Sequence, residues 1–228
     1  MNVADFRAQL EAEYTWRLDE IRFFQNQCSA IQSEGDQGKF RRAIVLLLYA
    51  HFEGFSKFAL ALYADAINQE GIECNAAHHA IAAASLHDLF VSLRDGTRKA
   101  KEFGNQLPDD AKLHRFARDR EFLERAEVIM SRKVEIPDGL IDMESNLKPV
   151  VLRKNLYRLG LPYDQFSELD GDVDMLLELR NKISHGESKS GVTQHLYDKL
   201  FSAATRVMTG ITAGVTQAFD ERWFLKGA

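Results

Sequence analysis

Asp172-Val173-Asp174-Met175-Leu176-Leu177-Glu178-Leu179-Arg180-Asn181-Lys182-Ile183-Ser184-His185-Gly186 alternates apolar and polar residues at helical spacing. At about 100° per residue, Val173, Leu176, Leu177, Leu179 and Ile183 gather on one face, while Asp174, Glu178 and Lys182 point away. Gly186 supplies the expected stop. Arg180 falls near the middle of the apolar face, so a permanent cation is turned towards the core. Burying it is costly unless a carboxylate, carbonyl dipoles or a bound anion compensates. Two explanations stand open: an ion pair with a buried acid such as Glu53 that locks two helices, or a phosphate site.

His185 lies about 140° round an ideal helix from Arg180, but Gly186 frees the backbone to redirect it. Asn181, four residues before His185, shares its face. An imidazole at a helix C-terminus sits at the negative end of the dipole, which favours the protonated form and suits a proton donor. For an isolated His before Gly, a polar helix end is the ordinary account.

Outward from this segment the pattern stays helical. Phe6, Leu10, Tyr14, Leu18, Ile21, Phe24, Cys28 and Ile31 form one stripe, ended by the polar run Ser33 to Gly38. A second helix, about Phe40 to Asn68, is apolar almost all round, with Gly71 just beyond. Third and fourth patterns cover roughly Ala77 to Phe103 and Asp109 to Met130. Ile136-Pro137-Asp138-Gly139-Leu140 carries a turn signature, so a short β-hairpin near 134–143 is the most β-structure expected. Asn146 is placed as the N-cap of a helix with Pro149 in its first turn, ending at Gly160-Leu161-Pro162. A last helix runs through Val192, Leu196, Leu200, Ala203, Val207, Ile211, Val215 and Phe219, with Trp223 and Phe224 docking the tail.

The chain of 228 residues can bury a sizeable core without disulfides or metal. Four prolines and few β-branched runs tilt it towards all-α. Cys28 and Cys74 are far apart, as in a reducing compartment, and Met1 to Phe6 has no signal-peptide pattern, so a cytoplasmic location is expected. The apolar core of the second helix, Ala43 to Phe52, is followed at once by Glu53 and Lys57, too short to cross a bilayer of about 30 Å. A net charge of -5 argues against a uniformly basic coat for nucleic acid.

Arg180-Asn181-Lys182-Ile183-Ser184-His185 resembles the Arg, four to six residues, His motif of the HEPN superfamily, with the polar residue after Arg that many members carry. Leu48-Tyr49-Ala50-His51-Phe52-Glu53-Gly54-Phe55-Ser56-Lys57, Ile141-Asp142-Met143-Glu144-Ser145-Asn146-Leu147 and the Gly160-Leu161 helix end also resemble counterparts in stand-alone prokaryotic members linked to toxin-antitoxin and defence systems. The resemblance spans much of the chain, though 71–130 contributes little. It implies a single HEPN domain over 1–228, a bundle of long antiparallel helices with an additional helical insertion at about 71–130. It further implies a homodimer whose two motifs share a composite cleft, and metal-independent cleavage of RNA by 2′-OH attack, leaving 2′,3′-cyclic phosphate. A cognate antitoxin or defence-system partner accompanies such proteins; no membrane partner, cofactor or metal is implied.

The residue types suit that chemistry. His185 can handle protons, Arg180 offers paired donors to phosphate oxygens, and Asn181 can orient the imidazole or the RNA. Ser184 is a lesser candidate that can equally satisfy a backbone carbonyl. Glu53 and Lys57, at i and i+4, are ordered for a salt bridge on a face that the resemblance places beside the cleft. Lys148, Arg153, Lys154 and Arg158 form an acid-free stripe and are the preferred RNA contacts, whereas Arg94, Arg98, Lys99, Lys101, Lys112, Arg115, Arg118 and Arg120 are interspersed with acids and suit a solvated face. His51 suits a hydrogen-bonded core histidine, and His78, His79 and His87 lack a recognised metal spacing. The alternatives to an enzyme are a non-catalytic module of the same fold binding RNA, a nucleotide or a protein, and a purely structural protein with an Arg180–Glu53 ion pair.

Overall fold

Three long helices begin where the sequence supplies a capping side chain. In the computed structural model, which describes residues 1–100 and 110–227, α1 spans Val3–Ser29, α2 Glu34–Glu70 and α9 Gln194–Asp220. Asn2, Ser33 and Thr193 each accept a backbone N–H of the first turn, satisfying one of the orphan donors there. The connection 30–33 is short, and α2 folds back along α1: Cys28 meets Gln37, Glu20 meets His51, and Tyr14 meets Phe55. Gln25 with Tyr197, Tyr14 with Thr209 and Phe6 with Phe219 give the same antiparallel register for α1 and α9.

The axis of the bundle is α2, packed on α1, α9 and α8 (Asp170–Ser184). That explains why it is apolar all round, with Ile44, Val45, Leu48, Phe52, Phe55, Ala59 and Leu60 buried. By length and composition alone this helix is apolar enough to cross a membrane, with 56% of the apolar window buried inside the protein. It starts at Glu34, not at Phe40 as the sequence suggested, because Ser33 caps it and the polar run 34–38 becomes its first turn. Gly71, at φ 63°, ends it.

The segment expected as two long helices is broken into shorter pieces, α3 (His79–Ser85), α4 (His87–Arg94), α5 (Ala111–Glu124) and α6 (Ala126–Met130). After Arg94, the Asp95 carboxylate accepts the backbone N–H and the hydroxyl of Thr97, a local alternative to continuing the helix. Lys101, Phe103 and Asp109 lie outside the described residues. α3 packs on α7 (Pro149–Arg158), and the tail docks there as expected, with Phe224 buried and its carbonyl accepting His78 N–H at 2.7 Å.

Among the described residues no hairpin forms over 134–143. The Asn68 side chain takes both the N–H (2.7 Å) and the carbonyl (3.1 Å) of Ile136, doing what a partner strand would do, and a 3-10 turn follows at Asp138–Leu140.

Candidate active site

Three of the four segments that carry the sequence resemblance come together around Arg180, and the Gly160-Leu161 helix end lies apart from it. Its Nη1 donates to Asn146 Oδ1 at 3.1 Å and to Asn181 Oδ1 at 2.8 Å, and its Cζ lies 4.6 Å from the centroid of the Tyr49 ring. Half-buried on α8, the guanidinium is thus held by two neutral amides and an aromatic face. Nε and Nη2 make no hydrogen bond among the described residues, and no carboxylate lies within ion-pair reach. The Arg180–Glu53 pair, one of the two explanations the sequence left open, is therefore not made.

Glu53 is occupied elsewhere. The Tyr49 hydroxyl donates to Glu53 Oε2 at 2.6 Å and accepts Leu147 N–H at 2.8 Å, while that N–H also lies 3.3 Å from Glu53 Oε2. Burial, then the neighbouring Glu53 carboxylate, push the Tyr49 phenol far above its ordinary value, so it stays protonated as a donor. Glu53 makes no pair with Lys57, which is exposed: the i, i+4 spacing permits that bridge, but a backbone N–H brought from 94 residues away takes the carboxylate instead.

The loop bearing Asn146 is built from inside. Asn155, 1% exposed on α7, donates to the carbonyls of Asp142 (2.9 Å) and Val151 (3.0 Å) and accepts Asp142 N–H at 3.3 Å. The Asp142 carboxylate accepts Glu144 N–H at 2.8 Å, and Glu144 and Ser145 take positive φ of 49° and 63°. Asn146 does not cap the next helix, as the sequence had suggested. Lys148 occupies that position with Pro149 first in α7, and the Asn146 side chain goes to Arg180.

His185 is the C-cap of α8, its N–H on Asn181 O at 2.9 Å, followed by Gly186 at φ 72° and a Glu187 N–H to Lys182 O bond of 2.9 Å that closes the helix end. The imidazole is exposed and has no hydrogen-bond partner among the described residues. Asn181 is spent on Arg180 and does not orient it. Ser184 is exposed, and its hydroxyl makes no hydrogen bond among the described residues. The chain beyond His185 is pinned to the start of α2: Arg42 donates to Ser188 O (2.6 Å) and Lys189 O (3.3 Å), and Gly38 O accepts Val192 N–H at 2.9 Å. Gly38 and Gly191 allow this contact, since a Cβ on Gly191 would stand 3.1 Å from Gly38 backbone.

The stripe on α7 is acid-free only along the chain. Arg153 pairs with Asp170, Lys154 with Glu144 at 2.9 Å, and Arg158 donates to Leu140 O at 3.0 Å. Lys148 alone of the four stays exposed and unpaired among the described residues. On α5, Arg118 departs from the solvated face that the sequence suggested: it is buried, and its Nη1 donates to the carbonyls of Ser92 and Asp95, while Arg120, exposed, pairs with Glu124. His51 is a core histidine: its Nε2 meets Glu20 Oε2 at 2.6 Å, Trp16 lies edge-on at 5.1 Å, and burial lowers its basicity in spite of Glu20. Cys28 and Cys74 are buried thiols.

Sequence reasoning assigned no role to Tyr49, and it gave Asn146 the wrong one. The signal was there in the quoted segments, but only the fold shows that both serve Arg180.

The protein family described as RiboL-PSP-HEPN matches residues 12–214 of the chain. No curated protein and no solved structure matches it.

Proposed function

We propose that this chain, which belongs to the RiboL-PSP-HEPN family, is a metal-independent endoribonuclease. The observation that carries the reading is the unpaired fork of Arg180, a buried-side cation with no carboxylate and with Nε and Nη2 unspent. A phosphodiester is the anion that such a planar donor pair fits. In the reaction the ribose 2′-OH loses its proton to a base and its oxygen bonds to phosphorus. The bond from phosphorus to the 5′-oxygen breaks, and that oxygen takes a proton. The products are a 2′,3′-cyclic phosphate and a 5′-hydroxyl. Arg180 stabilises the charge building on the non-bridging oxygens, and His185 moves a proton.

One imidazole per chain serves one proton transfer at a time, which is why we assign the working enzyme as a homodimer with two His185 side chains at a shared cleft. A toxin or anti-phage role in the cytoplasm, restrained by an antitoxin or defence partner, belongs to the same proposal. A second reading, a module of the family that binds RNA, a nucleotide or a protein without turnover, is favoured by one observation: the His185 ring has no orienting partner among the described residues.

The test is incubation of purified protein with diverse RNAs in EDTA, with end-group analysis. Cyclic-phosphate products that vanish in His185→Ala, with the helical circular-dichroism signal intact, support the enzyme. RNA left whole by the wild type, yet retained on a filter, supports the binding module instead.

A further inference from the structure

A second basic and aromatic feature lies at the other end of α7. Its last turn, with Gly160 and Tyr163, faces α3 and α4 across an open cleft of about 730 Å³, within the range of small-ligand sites. Tyr157 and Tyr163 are 68% and 50% exposed, with rings 5.7 Å apart at 78°. His79 and His87 are exposed on the facing wall. Arg94 is exposed with no partner among the described residues, and Arg158 is tied only through Nη1, to Leu140 O. Among the described residues no Asp or Glu lines the cleft. The larger cavity beside α5 differs, because there Glu121 and Glu124 pair with Arg125 and Arg120.

We infer that this cleft is an accessory substrate subsite that takes unpaired bases of single-stranded RNA on the faces of Tyr157 and Tyr163, one base to each ring, and the adjoining phosphate on Arg94 and Arg158. The inference rests on the nuclease reading above and adds a substrate class to it. Exposed π-faces beside cations, without acids, are what unpaired bases and their backbone need, whereas a duplex keeps its bases stacked inside. Position supports the same occupant. α7 runs from Pro149, just after the Asn146 that holds Arg180, to Arg158 at the cleft, ten residues or about 15 Å. That is the reach of a few nucleotides, so one strand can occupy both places.

The test is fluorescence anisotropy of the full chain with a labelled 2′-O-methyl oligoribonucleotide of about eight nucleotides, which binds but cannot be cut. Tyr157→Ala and Tyr163→Ala should each weaken binding at least fivefold, the scale of one lost stacking contact. Tyr157→Phe, which keeps the π-face, should bind within about twofold of wild type. Unlabelled single strand should compete better than the same sequence as duplex. Both Ala variants binding like wild type, or the duplex competing equally, would overturn the subsite. Cleavage is read separately on unmodified RNA. Wild-type cutting with Tyr157-independent binding removes the subsite and leaves the nuclease, while Tyr157-dependent binding without cutting does the reverse.

Discussion

Tyr49 holds the Arg180 guanidinium 4.6 Å from its ring centroid while its hydroxyl donates to Glu53 at 2.6 Å, so one side chain meets a cation with its face and a carboxylate with its edge.

Arg180→Lys keeps the charge but not the fork. Its unfolding free energy in urea should change by roughly 1 kcal/mol, the scale of neutral hydrogen bonds and a half-exposed cation–π contact. RNA cleavage should fall about 100-fold, as when a preorganised donor to a developing oxyanion is removed. A loss of about 3 to 5 kcal/mol would instead reveal a broken buried ion pair.

Asn155→Ala removes the three hydrogen bonds that fix Asp142 and the turn of α7 beneath it. Each buried group left unsatisfied costs about 1–3 kcal/mol, so the urea midpoint should drop clearly. Cleavage should fall at temperatures where the variant is still folded, because the Asn146 loop loses its anchor. Unchanged turnover in the folded variant would show that Asn146 needs no such support.

How much of this was visible in the chain depends on how local the cause is. The end of α8 at His185-Gly186 and that of α7 at Gly160 were legible, since each is set by one glycine entering the left-handed region. The inward turn of Arg180 was legible too, from helical spacing. The start of α2 was not, because Ser33 to Gly38 has the composition of a loop until Ser33 acts as a cap. Non-local partners decided the rest. Asp170, 17 residues from Arg153, and Glu144, ten from Lys154, neutralise a stripe that has no acid within it, and Arg180 claims Asn146 from 34 residues away.

His51 gives the stability a pH dependence of known sign. Burial is the larger effect and lowers its pKa in the folded protein, so below the unfolded value of about 6.5 the unfolded chain binds more protons. The contribution is fully present above that pH, declines as pH falls through it, and levels off below the folded value. Urea melts from pH 5 to 8 should show a steeper loss for wild type than for His51→Gln; parallel curves would refute the assignment.

Gly191→Ala places a methyl 3.1 Å from the backbone of Gly38, which cannot swing aside as a side chain can. Overpacking of this kind costs about 1–3 kcal/mol. The strain falls on the strap that follows His185, so protease nicking between Ser188 and Val192 should accelerate in the variant. A cleavage rate at this strap equal to wild type would mean that the contact yields.

Glu144 and Ser145, two successive residues with side chains in a region of backbone space that glycine enters freely, lead straight into Asn146. Heat tolerance and chemistry therefore pull this corner in opposite directions. Selection of variants for thermal endurance alone would drift towards glycine here, relaxing the bend, and the survivors would be sturdier proteins with a slack grip on their arginine.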